Sequence, residues 1–280
     1  MALFMGLSYS IAQRGTSQPA PHRFELGEEL HFEAEFSRAL LRKLDVADLK
    51  FRATRTPIPT NTTAESKPYA LTFSADVSSK GFFARLFNLR FHERVQSIVE
   101  PITFTVQKTT ILDEQGKRVR TTESTFDASK GRMIWTSRDP NNPDAEPRRA
   151  IAEFQGQLQD VLSAIYYIRT QPLEVGKTFE VFIGDGGKVY TIPVQVIEKK
   201  RMKTVLGRVD VLRVNAELFG PGRLIDREKG EFSIFVTGDA QHIPVGGRVK
   251  TDYGTFDIKL KRIVNPDQEL PQKGTKSTNE

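Results

Sequence analysis

The sequence predicts an all-β protein, either an antiparallel β-barrel or a strongly curved β-sandwich, with one packed α-helix. Apolar and polar residues alternate with a period of two through most of the chain, which is typical of strands with one buried face. Turn sequences such as Asp185-Gly186-Gly187 separate these runs and predict hairpins. Strands do not alternate regularly with helices, which argues against a parallel sheet of the Rossmann type.

The alternating pattern extends over nearly the whole chain. In one clear stretch, Phe32, Ala34 and Phe36 alternate with polar residues. About a dozen such short runs, joined by tight turns, are typical of a sandwich or a barrel. Further examples lie at residues 69–75, 102–106, 179–183 and 189–197.

One segment departs from the strand pattern. Apolar residues from Ile151 to Tyr166 recur at three- and four-residue spacing, which predicts an amphipathic helix over residues 151–169, ending before Pro172. Its second face holds small residues and a tyrosine, so we expect the helix to be packed on most of its circumference. Arg169 lies on the apolar stripe and therefore needs a carboxylate or the last carbonyls of the helix as partners.

Composition excludes several classes of protein. The absence of cysteine excludes disulfides, thiolate zinc sites, iron–sulfur clusters and a cysteine nucleophile. No apolar run reaches the ~18 residues of a membrane-spanning helix. The net charge of +6 would suit an anionic partner such as nucleic acid or a membrane surface. The basic residues are scattered, however, and no aromatic-plus-basic RNA signature is present, so we predict no nucleic-acid partner.

The chain divides into three parts. Residues 1–12 are interpreted as a truncated signal peptide, because residues 2–12 are uncharged and apolar and small residues precede the polar sequence that follows. The alternatives are a first strand or a frayed terminus. We predict that residues 13–264 form a single β-rich domain and that residues 265–280 form a disordered tail. A signal peptide implies a periplasmic or secreted protein.

The sequence holds no complete catalytic or metal-binding motif. His92-Glu93 resembles the start of a zincin helix, but Gln96 occupies the position of the second histidine. No Gly-x-Ser-x-Gly pentapeptide is present. We therefore assign no catalytic residue, metal or cofactor. Whether the protein is an enzyme stays open, with a non-enzymatic role favoured.

Five residues are candidates for a binding site. Tyr166, Tyr167 and Arg169 would line a pocket where the helix meets the sheet, with core packing as the alternative. Asp160 and Asp239 are the best candidates for paired carboxylates. The alternatives are a hydrogen bond from Asp160 to a nearby backbone amide, and turn formation by Asp239.

The segment from Asp160 to Arg169, followed by Pro172-Leu173 and Gly176, resembles the central motif of the DUF3108 family. This family comprises bacterial envelope proteins without an assigned function. The resemblance covers about residues 24–262 and implies a secreted or periplasmic β-rich domain, without supplying catalytic residues. It also rests on Phe24 with Gly27-Glu28 and Leu30, on Gly81-Phe82-Phe83 with Leu86-Phe87 and Val95-Gln96-Ser97, and on residues 232–239 with Pro244-Val245 and Gly254.

Three functions are compatible with these observations. The first is a non-enzymatic envelope protein that binds a lipid, another apolar ligand or an envelope protein. By analogy with helix-plugged carriers, it predicts a continuous apolar cavity of several hundred Å³. The second is a structural or assembly factor of the cell envelope, which predicts a filled interior and an exposed apolar patch. The third is an unrecognised hydrolase, which predicts titratable groups that converge with shifted pKa values.

Overall fold

The structure is a computed structural model that describes residues 24–58, 68–80 and 90–265. In these ranges the chain forms fourteen strands and one helix, and every strand pairs antiparallel, which confirms the predicted all-β fold with one packed helix. The predicted signal peptide and nearly all of the predicted tail lie outside the described residues and stay predictions. The elements are β1 (Glu29–Arg38), β2 (Leu41–Pro57), β3 (Tyr69–Ser79), β4 (Phe91–Val99), β5 (Val106–Gln115), β6 (Arg118–Asp127), β7 (Arg132–Arg138), β8 (Arg148–Glu153), α1 (Val161–Thr170), β9 (Thr178–Asp185), β10 (Lys188–Thr204), β11 (Gly207–Ala216), β12 (Gly230–Thr237), β13 (Pro244–Thr251) and β14 (Gly254–Val264).

All fourteen strands belong to one sheet, in the order β8-β7-β6-β5-β4-β3-β2-β1-β14-β13-β12-β11-β10-β9. Most strands pair with their neighbours in sequence, as short hairpin connections favour. The exception is the pairing of β1 with β14, which joins the two halves of the chain in the middle of the sheet. Strands β8 and β9 remain as edges, so the sheet is not closed.

The sheet curls until its two edges approach each other. A Cβ atom built on Gly187, in the β9–β10 turn, would lie 2.4 Å from the Cβ of Ala150 in β8. A Cβ on Gly184 in β9 would lie 2.7 Å from the Sδ of Met133 in β7. Only glycine permits so close an approach of two segments. The result is an open, barrel-like sheet.

The segment before α1 covers the free edge of β9. The backbone N–H of Gln159 donates to the carbonyl oxygen of Phe182 at 2.9 Å, and that of Gly184 donates to the carbonyl oxygen of Gln159 at 2.8 Å. On its other side the segment meets β5, where the N–H of Val106 donates to the carbonyl oxygen of Leu158 at 3.1 Å. Backbone groups that an open edge would expose are therefore paired.

We predict that Gly184→Ala lowers the free energy of unfolding by about 1–3 kcal/mol, because the added methyl group overlaps Met133 and Phe126. Denaturant titration followed by circular dichroism measures the change. Gly247→Ala is the matched control, since its methyl group would meet no atom nearer than 3.5 Å. Equal stability of the Gly184→Ala variant and the wild-type protein would contradict the close contact.

The predicted helix over residues 151–169 is wrong in its first half. Arg148–Glu153 form strand β8, which pairs with β7 and places Ile151 opposite Ile134. The apolar spacing of Ile151 and Phe154 fits a helix as well as a strand when so few residues are compared. Pairing with β7 decides between the two periods, and Gly156, with a φ of +74°, separates β8 from the helix.

A capping box sets the true start of α1. The Asp160 carboxylate accepts a hydrogen bond from the backbone N–H of Ser163 at 2.6 Å, and the Ser163 hydroxyl accepts one from the N–H of Asp160 at 2.9 Å. Two N–H groups that lack partners in the helix are thereby satisfied. The hydrogen bond predicted between Asp160 and a nearby backbone amide is confirmed, and Asp160 stabilises the helix.

The sheet encloses α1 on most sides, as the sequence predicts. Leu162 and Tyr166 belong to a core formed with β2–β7, whereas Ala164 and Ile168 belong to a core formed with β9–β12. Val161 is the one exposed residue of α1, with 45% of its surface accessible to solvent. The helix therefore fills the space between the two halves of the curled sheet and contributes to both cores.

The sheet has two rims, defined by the strand registers. The upper rim carries the β1–β2 turn at residues 39–40 and the β13–β14 turn at residues 252–253. The lower rim carries the β10–β11 turn at residues 205–206 and the β12–β13 connection. Helix α1 ends at the lower rim, where His242 Nδ1 donates to the carbonyl oxygen of Arg169 at 2.9 Å.

Candidate functional site

A small apolar cavity lies between α1 and the inner face of the sheet. Its volume is about 80 Å³, and five strands, β1, β2, β12, β13 and β14, contribute to its wall. Phe32 and Phe51 face it from one half of the sheet, and Ile234 and Ile258 face it from the other. Ile165 of α1 covers it. The cavity therefore lies at the junction of the two halves of the chain.

Gly247 in β13 leaves room for this cavity. Gly246 and Gly247 both line it, and Gly247 pairs with Ile234 on one side and Ile258 on the other. A Cβ on Gly247 would meet Ile258 only at ordinary van der Waals distance. A larger residue at position 247 would therefore project into the cavity, because directly paired residues share one face of a sheet.

Tyr166 is one of the α1 residues that line this cavity. The residue is 1% exposed, and its hydroxyl has no hydrogen-bond partner among the described residues. Its ring stacks on Phe73, with centroids 4.0 Å apart, and meets Phe24 edge-on at 5.3 Å. Burial raises the pKa of the Tyr166 hydroxyl well above its usual value, so the group stays neutral.

Arg169, which lies three residues after Tyr166 in α1, forms a buried ion pair with Glu28. The two guanidinium Nη atoms donate to the two carboxylate oxygens, one of them over 3.1 Å, and both residues are at most 4% exposed. The guanidinium group also lies 5.5 Å from the ring centre of Phe24 and 5.6 Å from that of Tyr166. Of the two kinds of partner that the sequence allows for Arg169, a carboxylate or the last carbonyls of the helix, the structure has the carboxylate of Glu28.

The same ion pair lies beside a second, more polar cavity at the lower rim. This cavity measures about 550 Å³, and Val205 and Leu206 of the β10–β11 turn line it together with Lys261 and Arg262 of β14. Arg169 borders both cavities. The ion pair with Glu28 therefore fixes the position of Arg169, the side chain that the two cavities share.

We predict that Arg169→Ala lowers the free energy of unfolding by about 2–4 kcal/mol, because Glu28 is left as a buried charge without its partner. Glu28→Ala should have an effect of similar size. The double variant Glu28→Leu/Arg169→Met removes both charges and should recover most of the loss. Denaturant titration of the four proteins measures these values. An Arg169→Ala variant as stable as the wild-type protein would refute the buried pair.

The structure places two of the five predicted site residues at the apolar cavity. Tyr166 and Arg169 line it, whereas Tyr167, half-buried, packs against Phe104 and is not one of the lining residues. Asp160 caps the opposite end of the helix, where the Thr109 hydroxyl donates to its carboxylate. Asp239 is exposed and accepts bonds within its own loop, so the proposed pairing of these two carboxylates is wrong.

Sequence reasoning missed Glu28 and His242, two of the residues that hold Arg169. Glu28 pairs with the guanidinium group, and His242 donates to the carbonyl oxygen of the same residue. Both lie far from Arg169 in sequence, so no local pattern connects them. The family motif did include Gly27-Glu28, and this was the one available signal for Glu28.

Two carboxyl groups inside the upper part of the sheet have raised pKa values. Burial, reinforced by the charges of Asp113 and Asp185, raises the pKa of Glu93. Burial and the charge of Asp160 raise the pKa of Asp185, against the effect of the Gly186 N–H. The hydrolase hypothesis predicts such a convergence. No hydrogen bond between described residues, however, joins either carboxyl group to a serine or histidine side chain.

We expect Glu93→Gln to stabilise the protein at neutral pH. The folded-state pKa of Glu93 lies above its ordinary value of 4.5, so ionisation above that pH disfavours the folded state. The advantage of the variant should therefore shrink as the pH falls toward 4.5 and vanish below it. Unfolding free energies measured across this range test the prediction. An advantage that does not change with pH would contradict the raised pKa.

In the part of the chain that the structure describes, no three His, Asp or Glu side chains are grouped so that they could hold a metal ion. His92 is partly exposed and contacts Asp76 and Glu114 on neighbouring strands. Among the same residues, no helix has the length and apolar character needed to cross a bilayer.

Comparison with known proteins assigns the family. A family model described as "Protein of unknown function (DUF3108)" matches residues 38–261, which is most of the chain. The chain belongs to the DUF3108 family. The resemblance seen in the helix motif is thereby confirmed. Among curated proteins, no match to this DUF3108 chain was found.

The DUF3108 chain also resembles solved structures. One is a β-barrel-like protein of the DUF1849 domain family from Brucella abortus, with a TM-score of 0.52 and 9% identity over 87% of this chain and 99% of that one. At that identity the similarity shows a shared fold alone. A candidate lipoprotein from Parabacteroides distasonis ATCC 8503 aligns with a TM-score of 0.31 and 10% identity over 88% and 100% of the two chains.

Proposed function

We propose that this DUF3108 protein is a non-enzymatic protein of the bacterial envelope that binds an apolar ligand beneath α1. The observation that supports this function is the cavity of about 80 Å³ between α1 and five strands, with its wall of aliphatic and aromatic side chains. An empty apolar cavity stays dry and is available to an apolar guest.

The size of the cavity limits the ligand to a short alkyl segment. An engineered apolar cavity of about 150 Å³ accommodates benzene, so one of about 80 Å³ suits the end of an alkyl chain. A carrier that encloses a whole lipid would need several hundred Å³. The apolar cavity is smaller than that carrier hypothesis predicts. The proposed ligand therefore inserts only its terminal carbons.

The envelope location is part of the proposal. The apolar stretch at residues 2–12 has the length of the hydrophobic region of a signal peptide. The DUF3108 family resemblance carries the same implication.

The assembly-factor alternative is supported by a different observation. Three apolar clusters and α1 fill most of the interior of the sheet. Exposed apolar side chains occupy hairpin turns, among them Leu40 at 98%. Both features agree with a protein that acts through its surface. Ligand binding by the purified protein separates the two functions, because an assembly factor needs none.

A cavity-filling variant tests the proposed function. Gly247→Leu places a side chain in the cavity, and we expect it to weaken binding of decanoic acid, whose alkyl end is free to insert, at least about tenfold, as loss of an apolar site for a few methylenes implies. Isothermal titration calorimetry measures the affinity. Ile258→Ala enlarges the cavity and should preserve binding.

Arg248→Leu is the matched control, because it adds a leucine to the exposed face of the same strand, one residue away. Thermal melting of each variant verifies that it folds. Binding by the Gly247→Leu variant that equals wild-type binding would refute the cavity as the ligand site. Absence of binding by the wild-type protein would favour the assembly-factor alternative.

A further inference from the structure

Two neighbouring hairpin turns at the upper rim expose apolar side chains. The β1–β2 turn presents Leu40, which is 98% exposed, and Leu41, which is 46% exposed. The β13–β14 turn presents Tyr253, which is 58% exposed. The two hairpins lie side by side because β1 pairs with β14. A leucine that contacts so little of its own protein leaves its full apolar surface in water, which is unfavourable without a partner.

Basic residues surround the two leucines. Arg38 precedes them and Arg42 and Lys43 follow, all exposed, and none of the three forms an ion pair with a described residue. The acidic side chains further along these strands include Glu35 and Asp48, which pair with Lys259 and Lys80 instead. Asp252 is the one acidic residue in the two turns, residues 38–43 and 251–254. The turns therefore carry a net positive charge.

We propose that this pair of turns, named here the upper-rim tips, binds the surface of a membrane that contains anionic phospholipids. Leu40 and Leu41 enter the boundary between headgroups and acyl chains, and the three cations contact lipid phosphates. A strand advances about 3.3 Å per residue, so Arg38 and Arg42 lie within roughly 7 Å of the leucines along the hairpin. That spacing matches an interfacial depth of about 5–10 Å.

Charge complementarity and shape favour a lipid surface as the partner. A fluid bilayer admits a protruding pair of leucines without a preformed pocket, and its negative surface potential attracts clustered basic residues. Tyr253 adds a side chain of the kind enriched at membrane interfaces, and the Arg227 guanidinium lies 5.2 Å from the centre of its ring. This proposal rests on the rim alone and is independent of the cavity.

The lower rim provides a comparison within the same molecule. Its turn also exposes an aliphatic pair, Val205 at 50% and Leu206 at 41%. These two residues line the cavity of about 550 Å³, unlike the leucines of the upper rim. Lys203 and Arg208, on either side of them, are exposed and form no ion pair with a described residue, so this rim also carries apolar side chains beside unpaired cations. The same substitution at the two rims therefore separates a specific effect from a general loss of apolar surface.

Vesicle co-sedimentation tests the proposal with the full chain. We expect binding to phosphatidylcholine vesicles that contain about one quarter phosphatidylglycerol, and at least about tenfold weaker binding to phosphatidylcholine alone. Leu40→Ser/Leu41→Ser should weaken binding to the anionic vesicles about tenfold or more. Arg38→Gln/Arg42→Gln/Lys43→Gln should weaken it further, since each cation near such a surface contributes about fivefold.

Val205→Ser/Leu206→Ser is the control at the lower rim. Its affinity for the vesicles should lie within about twofold of the wild-type value, because the proposed lipid contacts are at the upper rim alone. Circular dichroism verifies that each variant is folded. Three results would overturn the proposal. The wild-type protein could fail to bind anionic vesicles, which is the result expected if the partner is an acidic protein. The Leu40→Ser/Leu41→Ser variant could bind as well as the wild-type protein, or the lower-rim variant could be the only one that loses binding.

Discussion

An ion pair that is almost completely removed from water holds this fold together. Arg169 at the end of α1 and Glu28 just before β1 are both buried, and neither charge is tolerable there without the other. The pair ties the only helix of the described chain to the strand that connects the two halves of the sheet. Tyr166, one turn earlier in α1, takes its position between Phe24 and Phe73 from the same attachment.

The helix determines how much space the curled sheet encloses. Because α1 contributes side chains to the cores of both halves, it fills much of the interior and covers an apolar cavity of about 80 Å³. Gly247 leaves space for that cavity. The cavity beneath α1 has little room for a large ligand, so the surface of the protein matters as well for its function.

The sequence predicts most of the strands and the second half of the helix, because both follow from local periods. The turn at Asp185-Gly186-Gly187 and the pairing requirement of Arg169 were also predictable. Glu28 was not identified as its partner, because the two residues are 141 positions apart and no local pattern encodes that contact. The first half of the helix was mispredicted because pairing with β7 decides the conformation of residues 148–153. Inward side chains look alike in filled and hollow sheets, so the cavity could not be predicted either.

The central pairing of β1 with β14 has a consequence for how the chain becomes a folded protein. Glu35 in β1 contacts Lys259 in β14, 224 residues later. At ordinary rates of synthesis, the first strand waits on the order of tens of seconds for this neighbour to leave the ribosome. Until then its hydrogen-bonding edge has no lasting partner. Final assembly of the complete sheet is therefore postponed to the end of translation.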